Sequence, residues 1–379
     1  MFQLELLPAG QGDCMWIEYG PEHNPHVVIV DGGVTATFAS LEERIGLALE
    51  QSGASKLHVE LLVVTHLDND HIQGVLKLLN ESQHRINFGD IWFNGNRQLI
   101  ELLRSADDGT TDALGSKVSD VLGFDEADAL STILATGELP WNKSFGGAAV
   151  VVPLHDELPS REFDGGLKLT LLGPSTTRLQ ELSLVWPSVL KAYALQERTG
   201  VAEDPGDTLG RRDSWPPIWS DYVSWDKKEA NGSSIVLLAE YGDTACLLTG
   251  DAFADDIVTH LDRFKVDRGI GGKLPLAALK LSHHGSARNN SRQLIESVKC
   301  GSYLISTNGA QHKHPDHQAL LRVLRYSSLQ PCLAFNYEAE TTHMWRDDPA
   351  AVGQLGLGTY KTKYPDDASR GLILQWNEE

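Results

Sequence analysis

The run Thr65-His66-Leu67-Asp68-Asn69-Asp70-His71 constrains this chain more than any other stretch of it. It follows Leu61-Leu62-Val63-Val64, a short apolar run of the kind that forms a strand buried on both faces. A helix-capping role would use one aspartate of this run and leave both histidines unexplained. Imidazole and carboxylate side chains together suit Zn, Mn or Fe. Ligands that alternate along an extended turn point to opposite sides. His66 and Asp68 are therefore expected to face one metal, and Asp70 and His71 another.

Three further strand-like runs end in loops of similar chemistry: Thr249-Gly250-Asp251, Leu281-Ser282-His283-His284-Gly285 and His314-Pro315-Asp316-His317. In layered α/β proteins, sites gather where strands end and loops begin. Four such loops argue for one convergent site. Asp251 follows a glycine that permits close backbone approach, and its carboxylate is placed to bridge two metals. One of His283 and His284 is expected to bind metal; the other would hydrogen-bond substrate or orient a ligand, and the sequence leaves open which does which. His314 and His317 stand at a helix start and are candidates for catalysis or phosphate binding, since the helix dipole favours anions there. The other histidines lack ligand-like spacing and are read as structural or surface residues.

The pattern predicts strands over 2–6, 14–19, 26–30, 61–64, 91–93, 167–172, 234–240, 244–248, 277–281, 302–306, 331–336 and 372–376. Helical patterns cover 41–51, 72–79 and a stretch to about Arg325. The chain reads as a single domain over 1–379 with two insertions. One, 96–147, is expected to be helical, with patterns at 99–103 and 118–134. The other, 175–230, is rich in tryptophan and proline. Its tryptophans could line a substrate pocket or grip a partner, or simply cap the core.

The order of motifs resembles the metallo-β-lactamase superfamily, whose signature is His-x-His-x-Asp-His, then a later His, an Asp and a final His. Here the first motif reads His66-x-Asp68-x-Asp70-His71. Its aspartate at the third position is similar to the branch that holds the hydrolase domain of ComEC-type competence proteins and the phosphorylcholine esterases. Gly10-Gln11-Gly12-Asp13, Asp31-Gly32-Gly33, Leu172-Gly173-Pro174, Asn231-x-Ser233-Ser234, Leu248-Thr249-Gly250-Asp251, His283-His284-Gly285-Ser286 and His314-Pro315 carry the likeness further. It implies an αββα four-layer sandwich with helical and loop insertions. It also implies two divalent ions, Zn or Mn, and hydrolysis by a hydroxide that they activate. The middle histidine has no counterpart; Asn231 or Ser233 lies near that point in the order, and water could fill the position.

The favoured function is phosphodiester hydrolysis, by a phosphodiesterase or nuclease. Asp70 or Asp251 would accept the water's proton, and His314, His317 or the spare histidine of the 283–284 pair would serve the leaving group. The alternatives are hydrolysis of a lactone, thioester or amide, and a partner-gated module that binds another protein through its insertions. A net charge of −20 disfavours an extended nucleic-acid groove. A local basic patch from Lys280, Arg288, Arg292, Lys313 and Arg322 could still admit nucleic acid. The four cysteines form no CxxC pair, and neither a signal peptide nor a membrane span is evident, so a cytoplasmic location is expected.

Overall fold

The computed structural model describes residues 1–106, 123–193, 215, 217, 219 and 223–376. Among these the strands are β1 (Phe2–Leu6), β2 (Met15–Tyr19), β3 (His26–Val30), β4 (Leu57–Val63), β5 (Ile86–Trp92), β6 (Ser160–Glu162), β7 (Lys168–Gly173), β8 (Val236–Tyr241), β9 (Thr244–Leu248), β10 (Leu274–Lys280), β11 (Val298–Ile305), β12 (Cys332–Phe335), β13 (Lys361–Lys363) and β14 (Leu372–Trp376). They make a six-stranded sheet, β14-β1-β2-β3-β4-β5, and an eight-stranded one, β13-β12-β11-β10-β9-β8-β7-β6.

Alternation along the strands sorts the core into layers. Met15, Ile17 and Tyr19 of β2 join Val28, Val30, Leu61 and Val63 against Leu169, Leu237, Ala239, Cys246 and Leu304 of the other sheet. Trp16, Ile29, Val59 and Leu62 point the other way and meet Phe38, Ile45, Ile72 and Val75 on the helices Phe38–Ser52 and Asn69–Lys77. Leu247, Leu279, Tyr303 and Leu333 turn outward beneath Ile257, Leu261, Leu294 and Leu320 on helices of the opposite flank. The result is helix, sheet, sheet, helix: the αββα sandwich of the metallo-β-lactamase fold. Strands covered on both faces explain why Leu61–Val64 reads as unbroken apolar sequence.

Within 96–147, helices span Asn96–Ala106 and Phe124–Thr136; the pattern expected from residue 118 begins outside the described residues. Within 175–230, Trp186 is fully buried and stacks on Phe124 with centroids 5.6 Å apart, whereas Trp225 is exposed. Among the described residues, no helix is long and apolar enough to cross a membrane.

Both sheets have a parallel portion, β3-β4-β5 in one and β9-β10-β11-β12-β13 in the other. The loops leaving β3, β4, β9 and β10 carry Asp31, His66–His71, Asp251 and His283–His284 and meet across the sandwich. The two sheets are tied there by a backbone bond from Ile235 N to Thr65 O at 2.8 Å.

Candidate metal centre

The helix Asn69–Lys77 starts earlier than its apolar periodicity predicts, so Asp70 and His71 stand in its first turn rather than on an extended loop. Asp68 keeps extended backbone (φ −66°, ψ 145°), and alternation along an extended turn does not reach Asp70 and His71. Asp68 sits at the N-cap position, yet its side chain makes no capping bond. Gly12 brings the β1–β2 turn so close that a Cβ there would lie 1.7 Å from the Asp70 carbonyl oxygen, and Asp13 N donates to that oxygen at 3.3 Å. His283 and His284 both adopt left-handed backbone (φ 50° and 55°), uncommon for residues with side chains. That local twist is where strain is stored to present two adjacent rings to one site.

Four histidines are held in the same sense. Asp31 accepts Thr65 N and Thr65 Oγ1, both at 2.7 Å, and lies 2.8 Å from His71 Nδ1. A carboxylate only accepts, so His71 Nδ1 donates. The Thr65 hydroxyl proton is committed to Asp31, so Thr65 Oγ1 accepts from His66 Nδ1 at 3.0 Å. His284 Nδ1 donates to the Ser306 carbonyl at 2.9 Å, and His283 Nδ1 donates to Asn289 Oδ1 at 3.1 Å. Each ring is thus left with Nε2 as its lone-pair atom, the arrangement that outer partners impose on metal-binding histidines.

Those Nε2 atoms converge on Asp251. His71 Nε2 is 3.5 Å from Asp251 Oδ1, while Nε2 of His284, His283 and His66 lie 3.6, 3.7 and 3.8 Å from Asp251 Oδ2. Asp70 Oδ2 is 3.3 Å from His284 Nε2, and Asp68 Oδ2 is 3.7 Å from His66 Nε2. Nε2 of His66, His71 and His284 and Oδ1 of Asp251 are buried without hydrogen-bond partners. Orphaned buried polar atoms demand an explanation. Donors around a tetrahedral ion at ~2.0–2.1 Å stand about 3.3–3.4 Å apart. The observed spacings come close to that, so the residues fit a divalent cation.

The electrostatics agree. Burial opposes ionisation of Asp70 and Asp251, yet His71 and His284 foremost hold both carboxyls below the usual carboxylate range. Burial likewise opposes protonation of the rings, and Asp251 above all overrides it. His283 is raised to about 9 and His284 to about 10, with His71 also well above its ordinary value. A cluster that must hold protons to balance its carboxylates is one where a dication can replace them.

Asp13, His71, Asp251 and His284 offer donor atoms all within 4.8 Å of one another. Asp13 is not among the ligands expected from sequence, and its geometry suits a supporting role better. Its Oδ1 lies 3.3 Å from the Nδ1 edge of His284, and its Oδ2 lies 2.8 Å from Lys280 Nζ. Burial is again opposed, chiefly by Lys280, and the Asp13 carboxyl stays below the usual range. In sequence, Asp13 and Asp31 stand beside glycine-rich turns and within two of the motifs that carry the family resemblance, but neither is marked there as a ligand.

Of the remaining candidates, His314 stands at the rim, its ring centroid 5.4 Å from that of His283 and its Nδ1 3.4 Å from Asp316 Oδ1. His317 packs edge-on against Trp215 and Trp345, both with centroids 5.6 Å away. Ser233 donates its hydroxyl to Ala230 O, whereas Asn231 gives its amide nitrogen to Asp226, lies 3.4 Å from His283 Nδ1 and keeps a buried Oδ1 without a hydrogen-bond partner, so of the two only Asn231 stays beside the site. Two of the five residues expected in a basic patch are not on the surface. Lys280 is fully buried on Asp13, Arg322 is buried and donates to the carbonyls of Ala287 and Asn290, and Arg292 pairs with Glu296 along its own helix. Strand β10 and the helix His317–Tyr326 turn Lys280 and Arg322 inward onto buried acceptors, while Arg292 stays exposed.

Residues 7–86 match the metallo-beta-lactamase superfamily model. A stretch of 108 residues is 27% identical to ComE operon protein 3 of Bacillus subtilis (strain 168), covering 28% of this chain and 13% of that protein. Among solved structures, CmlA, a diiron beta-hydroxylase from Streptomyces venezuelae, aligns over 96% of this chain and 52% of its own length, at 13% identity and a TM-score of 0.36. A mutant of the CmlA beta-hydroxylase aligns over 99% of this chain and 54% of its own, at 12% identity and the same score. The chain thus spans about half of that structure and a small fraction of the curated relative. The matched family is one of metal-dependent hydrolases.

Proposed function

We propose that this metallo-β-lactamase-fold chain is a metal-dependent phosphodiesterase whose ion is held by Asp70, His71, Asp251 and His284. The observation that carries the reading is the convergence of those donors, with Nε2 of His71 and His284 and Oδ1 of Asp251 buried and without hydrogen-bond partners. A divalent ion bound there would polarise a phosphoryl oxygen and acidify a water molecule. Around it, Asp31 and Ser306 fix the tautomers of His71 and His284. Asp251 and Asp70 are the carboxylates placed to accept a proton from the attacking water. His314, 3.4 Å from Asp316 and next to His283, would give a proton to the leaving oxygen. His317, enclosed by tryptophans, is read as a packing residue.

The burial of two expected patch residues bears on substrate. With Lys280 and Arg322 buried and a net charge of −20, the described surface offers little to a long polyanion. A small phosphodiester, or a short single-stranded end, is the substrate class that suits this chain best. The test is cleavage of bis(p-nitrophenyl) phosphate, single- and double-stranded DNA, RNA, a lactone and a thioester, with Mn or Zn, beside Asp70→Ala. Metal-dependent cleavage of the small ester, abolished in the variant, is expected. Activity confined to the lactone or thioester, or full activity in Asp70→Ala, would refute the proposal.

A further inference from the structure

Lys228 closes the second insertion and enters the site from outside every motif described above. Its Nζ lies 2.7 Å from Asp68 Oδ2. The backbone holds it there: Lys228 N donates to Asp226 Oδ1 at 3.0 Å. Asp226 is itself fixed through Oδ2 by Asn231 Nδ2 at 2.6 Å and Asn289 Nδ2 at 2.9 Å. Asn289 also supports His283 and donates to the Asp251 carbonyl, so the anchor of Lys228 is built into the wall of the site.

The two halves of the donor set then differ in kind. On one side Asp70, His71, Asp251 and His284 stand 3.3–3.6 Å apart, with no lysine or arginine of the described residues paired to them. On the other, the Asp68 oxygen nearest His66 is already engaged by an ammonium. A dication bonded to that oxygen would have to share it with a fixed positive charge. The imidazole that would favour a metal on this side is also missing: Ser233 donates to Ala230 O, and Asn231, beside His283, is an amide whose nitrogen is taken by Asp226.

We infer that Lys228 is a resident cation occupying one of the two metal positions, so that the chain loads a single divalent ion at Asp70, His71, Asp251 and His284. This rests on the metal-dependent reading above and proposes one ion in place of the two expected from sequence. An ammonium supplies directional hydrogen bonds and one positive charge without being lost to a chelator.

The test is ion stoichiometry, read without any assay of turnover. The full chain is stripped with chelator, reloaded with Mn, and measured by titration calorimetry and elemental analysis. Wild type should bind one equivalent. Lys228→Met should gain a second, at least tenfold tighter than any second binding in wild type, while Lys228→Arg stays at one. Asp68→Asn should keep one equivalent within about threefold of the wild-type affinity, because Asp68 serves the ammonium rather than the ion. Two equivalents of similar affinity in wild type, no gain in Lys228→Met, or loss of the single ion in Asp68→Asn would each overturn the inference and leave the hydrolase reading standing. Binding of no ion by any of the proteins would remove the hydrolase reading as well.

Discussion

Replacing Lys280 by methionine would strand a carboxylate in the centre of the molecule. Lys280 and Asp13 are both fully buried, with Nζ and Oδ2 2.8 Å apart. At an effective dielectric of about 20, their direct attraction is on the order of 332/(20 × 2.8), roughly 6 kcal/mol. Desolvation of both groups offsets part of this. Breaking one side of a buried pair costs about 3–5 kcal/mol, because the other charge stays behind. Unfolding entropy of ~2.1 cal/mol/K per residue over the 379-residue chain gives about 0.8 kcal/mol/K. Lys280→Met should therefore lower Tm by about 4–6 °C, followed by circular dichroism at neutral pH. The double variant Asp13→Asn/Lys280→Met removes both charges and should recover more than half of that loss. A single variant within about 1 °C of wild type, or a double variant no more stable than the single, would refute the assignment of a buried ion pair.

Two further outcomes follow from the same geometry. His283 and His284 are raised from 6.5 to about 9 and about 10, so the stability they contribute in the metal-free protein is complete below about pH 6.5 and is lost as pH rises through 9 to 10. Tm in chelator should fall over that window, and fall less with Mn bound, where the ligand rings are already deprotonated; a flat profile in chelator would contradict this. Gly12→Ala places a Cβ against the Asp70 carbonyl oxygen and should weaken Mn binding at least tenfold by calorimetry, whereas Gly301→Ala, with no atom within 4 Å, should leave it unchanged; equal effects would discount the close approach.

Much of the site was legible in the chain because its donors are chemically conspicuous and local. His66, Asp68, Asp70 and His71 follow one buried strand, and Asp251 and the His283–His284 pair end two more, so alternation and spacing alone place them at strand ends. The sandwich was legible for a related reason: strands covered on both faces must be apolar on both. What the sequence left open depends on groups far apart in the chain. Asp31 and Thr65 are 34 residues apart, Lys228 meets Asp68 across 160, and Asp13 meets Lys280 from the opposite sheet. A lysine or an aspartate looks the same in sequence whether it is solvated or buried. Lys280 and Arg322, next to the metal-binding motifs, read as a surface patch until the fold turned both inward. The proposal of His284 over His283 as the ligand likewise rests on tertiary contacts: both rings reach Asp251, but only His284 also meets Asp70 and has its Nδ1 fixed by a backbone carbonyl. Residue type and spacing determine which donors a loop can offer; which of them are turned together, and which cations come between them, is decided by long-range packing that no local pattern encodes.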